Sequence, residues 1–343
     1  MATNRACYLH FGPHKTGSTS IQAMLRQKRE ALNGAGYFLP AAIASEEDDT
    51  KGNDSHLGFK SNFERYANLE DAPSWGVLAK RIEGELGNSI IISGENIYGR
   101  VHEKESYEKI VSFFLKKNIK LILIAYVRDQ AGWINSHYGQ HLKALRSPIS
   151  FQKYVQQALD DRLFEFGSMF LNPMNDDRVD FRILSFESSI KLGLERDFLN
   201  RVGASSVEFT PRKIANANFG AKGAYVARRI AKSWGDELGA QTPLRKFAKR
   251  YLKHQAIKRG WSDSPYMGFD DETAKQIRDH FRPSNDAFSQ RFFGKPWAEM
   301  APPKPVVRNV FKLNVASREE AAEVEAVVSK LERMIERRLK QDR

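Results

Sequence analysis

Short apolar runs of strand length punctuate the first half of the chain, and each ends in glycine or in a polar or charged residue. Ala6 to Phe11 runs into Gly12-Pro13-His14-Lys15; Ile90-Ile91-Ile92 ends in Ser93-Gly94-Glu95; Leu121 to Val127 is continuous and ends in Arg128. Apolar runs without alternation suit parallel strands covered on both faces. Helical stretches separate them. Ser20 to Leu32 lacks Gly and Pro and is stopped by Asn33-Gly34, while Glu103 to Lys117 leads as a helix into the Leu121 run, and 151–163 is a further helix. Strand-helix alternation of this kind predicts an α/β fold on a parallel sheet. From Gly36 to Trp75 the pattern dissolves into Gly, Pro, Ser and acidic residues, which predicts an inserted loop after the first helix.

Composition narrows the class without naming a function. The 343 residues, 41% hydrophobic and 28% charged, can bury the core of one large domain with insertions. No apolar run approaches the roughly 20 residues that span a bilayer, and no signal-peptide pattern precedes the first strand, so a cytoplasmic location is expected. One cysteine, Cys7, leaves no internal disulfide and no multi-cysteine metal site, and its place in the first strand favours burial. The net charge of +12 suits a polyphosphate-bearing nucleotide, an acidic polymer or peripheral contact with an anionic membrane. Nucleic acid is not expected, because none of the usual reader motifs is present. The densest basic stretch, Arg245 to Arg259, carries one basic and one apolar helical face; it is either a solvated face or an acidic-acceptor surface. Pro302-Pro303-Lys304-Pro305 marks a stiff linker, and Ser317 to Leu339 shows a helical apolar stripe that either dimerises or docks on its own domain.

Chemistry gathers where the apolar runs end. The loop from Gly12 to Thr19 holds two glycines, Lys15 and the hydroxyls of Thr16, Ser18 and Thr19 at a predicted helix start, where unpaired N–H groups and the helix dipole favour an anion. The usual nucleotide loop puts Lys after its second Gly, whereas here Lys15-Thr16 precedes Gly17. Arg128, at a strand tip, can fork onto a phosphate. Glu95 stands at the end of a third run, where open α/β sheets place ligands. A capping or salt-bridged carboxylate is its bland alternative. His10, on the strand side, is expected as a core histidine.

Lys15-Thr16-Gly17-Ser18-Thr19 resembles the K-T-G-[ST]-T loop of sulfotransferases that use 3′-phosphoadenosine 5′-phosphosulfate (PAPS). Arg128 to Tyr138 is similar to their R-D-P-x-x-R-x-x-S-x-Y element, with Gln130 in place of Pro and Trp133 in place of the second Arg. Looser likenesses cover 179–203 and 280–294. The resemblance implies a P-loop-NTPase-like three-layer α/β fold: a central parallel sheet flanked by helices, with helical insertions and a C-terminal helix. It implies one sulfotransferase domain over 1–300, including the 36–75 insertion and a mostly helical 205–300 lid region, then the linker and helix of 301–343. In that family Lys15 would neutralise the leaving phosphate, and Thr16, Gly17, Ser18 and Thr19 would hold the 5′-phosphosulfate. Arg128 and Ser136 would bind the 3′-phosphate, and Glu95, with His14 as rival, would take the acceptor proton. Arg212, Asn218 and Lys222, in a basic Pro211–Ala231 segment, would belong to a loop closing over the nucleotide. PAPS would be the donor, with no metal, and a hydroxyl or amine of a carbohydrate or glycoconjugate the acceptor, as the Glu-type base and the bacterial look of the chain suggest. A homo-oligomer through the last helix fits this picture. The alternatives are a metal-dependent nucleotide kinase or NTPase, with Asp129 as its sole weak metal ligand, and a non-catalytic nucleotide- or polysaccharide-binding protein.

Overall fold

The structure, a computed structural model, describes residues 5–40, 66–85, 87–95, 97–161, 164–210, 218–240 and 242–341. The chain is α/β. Five strands, β1 (Ala6–His10), β2 (Tyr37–Phe38), β3 (Ser89–Ser93), β4 (Lys120–Val127) and β5 (Asp180–Ser185), form one all-parallel sheet in the order β2-β3-β1-β4-β5. The apolar runs occupy the three inner strands, as continuous hydrophobicity demands of strands buried on both faces. Toward one face, Ile91, Ile122, Ile124 and Tyr126 pack with Ile21, Leu25, Phe198 and Leu199. Toward the other, Phe11 meets Phe170 and Phe181, and Trp75 meets Phe113 and Phe114.

The strands' carboxyl ends are tied together by the backbone. Phe11 N–H donates to Ile124 O at 3.0 Å and Gly94 N–H donates to His10 O at 2.9 Å, so the segments leaving β1, β3 and β4 start side by side. The chain leaving β1 heads for β2 at one edge and the chain leaving β4 for β5 at the other, which makes the β1/β4 boundary a topological switch point.

The residues divide into two compact units. The first, Met1–Asp129, Glu165–Ile214 and Ser284–Pro302, holds the entire sheet. In the second, Gln130–Phe164, Ala215–Pro283 and Pro303–Arg343, the regular elements among the described residues are helices, with one antiparallel bridge between Met267 and Asn309. In it the helices Gly220–Ala240, Thr242–Lys258 and Arg318–Gln341 pack together. Among the described residues no helix is long and apolar enough to cross a membrane.

Several elements differ from the sequence expectation. The first helix is not continuous: it spans Ser18–Gln27, breaks at Lys28 (φ −106°, ψ 17°) and resumes over Arg29–Gly34. The insertion after it begins later than expected, because Tyr37-Phe38 pairs with β3 and the Tyr37 hydroxyl donates to Val202 O at 2.9 Å; two residues are too few to show a strand period. Most of that insertion, 41–65, lies outside the described residues, while a helix spans Pro73–Gly84. Of the expected Pro211–Ala231 loop, residues 211–217, Arg212 included, also lie outside them, and from Gly220 onward the chain is helix. Val226, Ala227, Ile230 and Ala231 bury one face of that helix, an apolar stripe diluted by the surrounding Gly, Arg and Lys. The last helix docks on its own chain, burying Val324, Val327, Val328, Leu331 and Ile335 almost completely. The stripe that suggested an oligomer is thereby covered within the second unit.

Candidate functional site

The Gly12–Gly17 loop is shaped by its backbone. Lys15 has φ +73° and Gly17 φ +86°, both left-handed. A side chain at Gly17 is further barred, since a Cβ there would stand 2.1 Å from Leu194 Cδ2. Gly17 is also the N-cap of the Ser18–Gln27 helix and supplies no side-chain cap, and no acidic residue occupies the first turn. The leading N–H groups of that helix are therefore left for solvent or for an anion.

Thr16 and Ser18 behave differently despite their shared hydroxyl chemistry. Thr16 is fully buried and donates to Pro13 O at 2.8 Å, so its hydroxyl closes the loop on itself. Ser18 is buried and its Oγ has no hydrogen-bond partner. Thr19 is exposed.

The two candidate bases meet. His14 Nδ1–H donates to Glu95 Oε1 at 2.8 Å, with His14 half exposed and Glu95 partly buried. That hydrogen bond raises the His14 pKa, against the opposing effects of burial and of Lys15. Lys15 is held below the usual lysine range, first by burial and then by the Arg128 charge, with Glu95 acting the other way. His10 is the expected core histidine: its Nδ1 is 2.8 Å from Ser93 Oγ, and burial pushes its pKa down to about 4.

Arg128 reaches across the switch point. Its Nη1–H donates to Lys15 O at 2.9 Å, its guanidinium lies 5.0 Å from the Phe186 ring centre, and its buried Nε–H has no partner. Glu187 is the site residue that sequence reasoning passed over as a site. Its Oε1 accepts from Asp129 N–H at 3.1 Å, its buried Oε2 is unpartnered, and burial raises its pKa. The only signal for it was a Phe-Glu pair following β5, which says nothing of the distance to Arg128.

Lys15, Thr16, Gly17, Ser18, Thr19, His14, Glu95 and Arg128 thus all belong to the first unit, on the segments that leave β1, β3 and β4. Ser136, Asn218 and Lys222 belong to the second. Ser136 is half-buried on the Gln130–Lys143 helix. Asn218 spends its side chain locally, with Oδ1 accepting from Gly220 N–H at 2.6 Å and Nδ2 donating to Ser262 O at 3.3 Å. Lys222 is paired with Glu320 at 3.1 Å and Glu323 at 3.3 Å on the last helix; burial alone would lower its pKa, but the two carboxylates raise it. Both therefore have structural partners already. Among the described residues no group of three or more His, Cys, Asp or Glu side chains is placed to hold a metal ion.

Compared with known proteins, the chain matches no family model, no curated protein and no solved structure.

Proposed function

We propose that the first unit is a sulfuryl-transfer centre on a P-loop-like α/β fold, taking PAPS as donor and a hydroxyl as acceptor. The observation that carries this reading is the meeting of three groups: an uncapped, carboxylate-free helix start, Lys15 on its loop, and the His14–Glu95 pair beside it. The sheet order, with the Lys15 loop and Arg128 flanking one switch point, is the arrangement in which open α/β sheets bind ligands.

In this proposal the 5′-phosphosulfate would lie against the N–H groups opening the Ser18–Gln27 helix, with the Ser18 hydroxyl as a further donor. Lys15 supplies positive charge as the bond between sulfur and the bridging phosphate oxygen breaks and negative charge grows on the departing phosphate. The acceptor oxygen forms the new bond to sulfur, and its proton passes to Glu95, whose Oε1 is held by His14 and whose Oε2 would take the proton. Arg128, with an unpartnered Nε–H, is a charged donor for the nucleotide's second phosphate. The rest is positioning, the largest part of catalysis in group transfers of this kind.

The test is nucleotide selectivity. Calorimetry should show adenosine 3′,5′-bisphosphate binding at least about tenfold more tightly than ATP or AMP, a preference reduced by Arg128→Ala on the scale of one charged hydrogen bond, about 1.5–3 kcal/mol. Equal or tighter ATP binding would instead point to a nucleotide kinase or NTPase. Bisphosphate binding with no release of it from PAPS, across a panel of hydroxylated acceptors, would point to a binding protein.

A further inference from the structure

The second unit contains a cavity of about 360 Å³, a size that holds a small organic ligand. Its wall has two aromatic groups. Tyr138, Phe151 and Tyr266 pack on one another with centroid separations of 5.4–6.5 Å, and Tyr225 meets Phe311 at 5.3 Å. Arg228, Arg308 and Lys312 add three cations, Gln152 adds an amide, and no Asp or Glu lines the space. Arg308 has a carboxylate nearby, Asp270, at a loose 3.7 Å.

This wall is built rather than incidental. Arg228 sits on the Gly220–Ala240 helix and hydrogen-bonds the Tyr138 hydroxyl, which itself donates to Ile149 O at 2.8 Å. Arg308 and Lys312 come from the segment after the proline-rich stretch, and that segment is fastened as a strap. Val306 N–H donates to Asp271 at 2.8 Å, Met267 and Asn309 exchange backbone bonds at 3.0 and 2.8 Å, and Asn309 Nδ2 donates to both Ser264 Oγ and Pro265 O at 2.7 Å. Pinning of this kind reduces the ordering cost of binding.

We infer that this cavity is a binding site for an anionic sugar: a ring resting on the tyrosine and phenylalanine wall, with its carboxylate or sulfate held by Arg228, Arg308 and Lys312. Charge selects an anion, since half-buried Arg228 and the more exposed Arg308 and Lys312 group three like charges on a wall lined by no carboxylate, which favours a ligand that brings the opposite sign. Ring geometry selects a sugar over a nucleobase. The wall aromatics contact one another edge-on or tilted, at 71° for Tyr138–Phe151, 75° for Tyr225–Phe311 and 39° for Tyr138–Tyr266. None of these contacting pairs is a parallel stack of the kind a flat base extends, whereas a puckered ring with C–H groups on one face needs only a one-sided platform. The inference is independent of the donor reading, because every lining residue belongs to the second unit.

The experiment uses the full chain without nucleotide and a glucuronate-containing disaccharide, compared by calorimetry with the same disaccharide carboxyl-reduced to the alcohol and with its sulfated derivative. The acidic forms should bind at least about tenfold more tightly than the reduced one, and Arg308→Gln, verified as folded by its melting curve, should remove about tenfold or more of that affinity. Arg308→Lys, which keeps charge but loses the fork, should fall between. Absence of binding, equal binding of the reduced sugar, an unaltered Arg308→Gln affinity, or AMP competing more tightly for the same cavity would each overturn the assignment. Lys15→Ala should leave this binding unchanged while abolishing bisphosphate binding, so the failure of either proposal is visible separately.

Discussion

His14 and Glu95 share a 2.8 Å hydrogen bond, so neither acts as an isolated base. In the proposed reaction Glu95 accepts the proton and His14 fixes its orientation. Glu95→Gln should keep donor affinity within about threefold while turnover falls by about 10²–10⁴, the usual contribution of a positioned base. His14→Gln should cost only about tenfold, as expected of a group that orients another. The reverse pattern in steady-state kinetics would make the histidine the base. The same pair carries a pH signature. A histidine whose folded pKa is raised contributes its full stability below the unfolded value of about 6.5 and loses it as pH climbs through the higher folded value. Wild type should therefore lose a little stability as pH rises above about 6.5 that His14→Gln does not lose, a small effect because the imidazole is half exposed. Urea titrations of both proteins between about pH 6 and 9 would read it, and parallel curves would refute it.

The loop before the Ser18–Gln27 helix depends on one residue without a side chain. Gly17→Ala must place a Cβ against Leu194 while keeping φ +86°, and left-handed backbone alone costs an L-residue about 1–2 kcal/mol. The expected result is a loss of bisphosphate binding larger than the loss of melting temperature, since the loop distorts before the sheet does. Binding that survives intact would show the loop to be irrelevant to the ligand. The last helix depends instead on its buried stripe. Leu331→Ala should cost about 2–5 kcal/mol in chemical denaturation of the second unit, the range for a core leucine. Lys222→Met should change bisphosphate affinity little, because its ammonium is engaged by Glu320 and Glu323, and should cost stability on the scale of a partly exposed ion pair, about 0–1 kcal/mol. A tenfold loss of nucleotide affinity in Lys222→Met would return that residue to the donor site.

Across the whole molecule, a net charge of +12 surrounds a site whose proposed donor is a polyanion. Bisphosphate association should accordingly slow as salt rises from about 0.05 to about 0.5 M, more than dissociation accelerates, because long-range steering is screened before short contacts are. Stopped-flow rates that place the whole salt effect in dissociation would contradict this. At the same scale the sequence already contained the parallel sheet, since the Ala6, Ile90 and Leu121 runs have no polar face and can lie only inside a covered sheet. It also contained the polar tips of those strands, because residues adjacent in sequence leave a strand together. Its limits appear wherever an outcome depends on a distant partner. Tyr37-Phe38 is a strand only because β3 lies beside it, and the 220–231 segment is helix because its small apolar residues find the neighbouring helices. Lys222 and Asn218 carry nucleotide-binding chemistry on paper, yet Glu320, Glu323, Gly220 and Ser262 occupy them. His14 meets Glu95 through the backbone bond from Gly94 to His10 O, and an aromatic and cationic cavity forms where the segment after a proline-rich stretch is pinned as a strap. Local pattern specifies which face is buried and where a strand stops; which charges meet, and which remain open to a ligand, is settled by contacts between residues far apart in the chain.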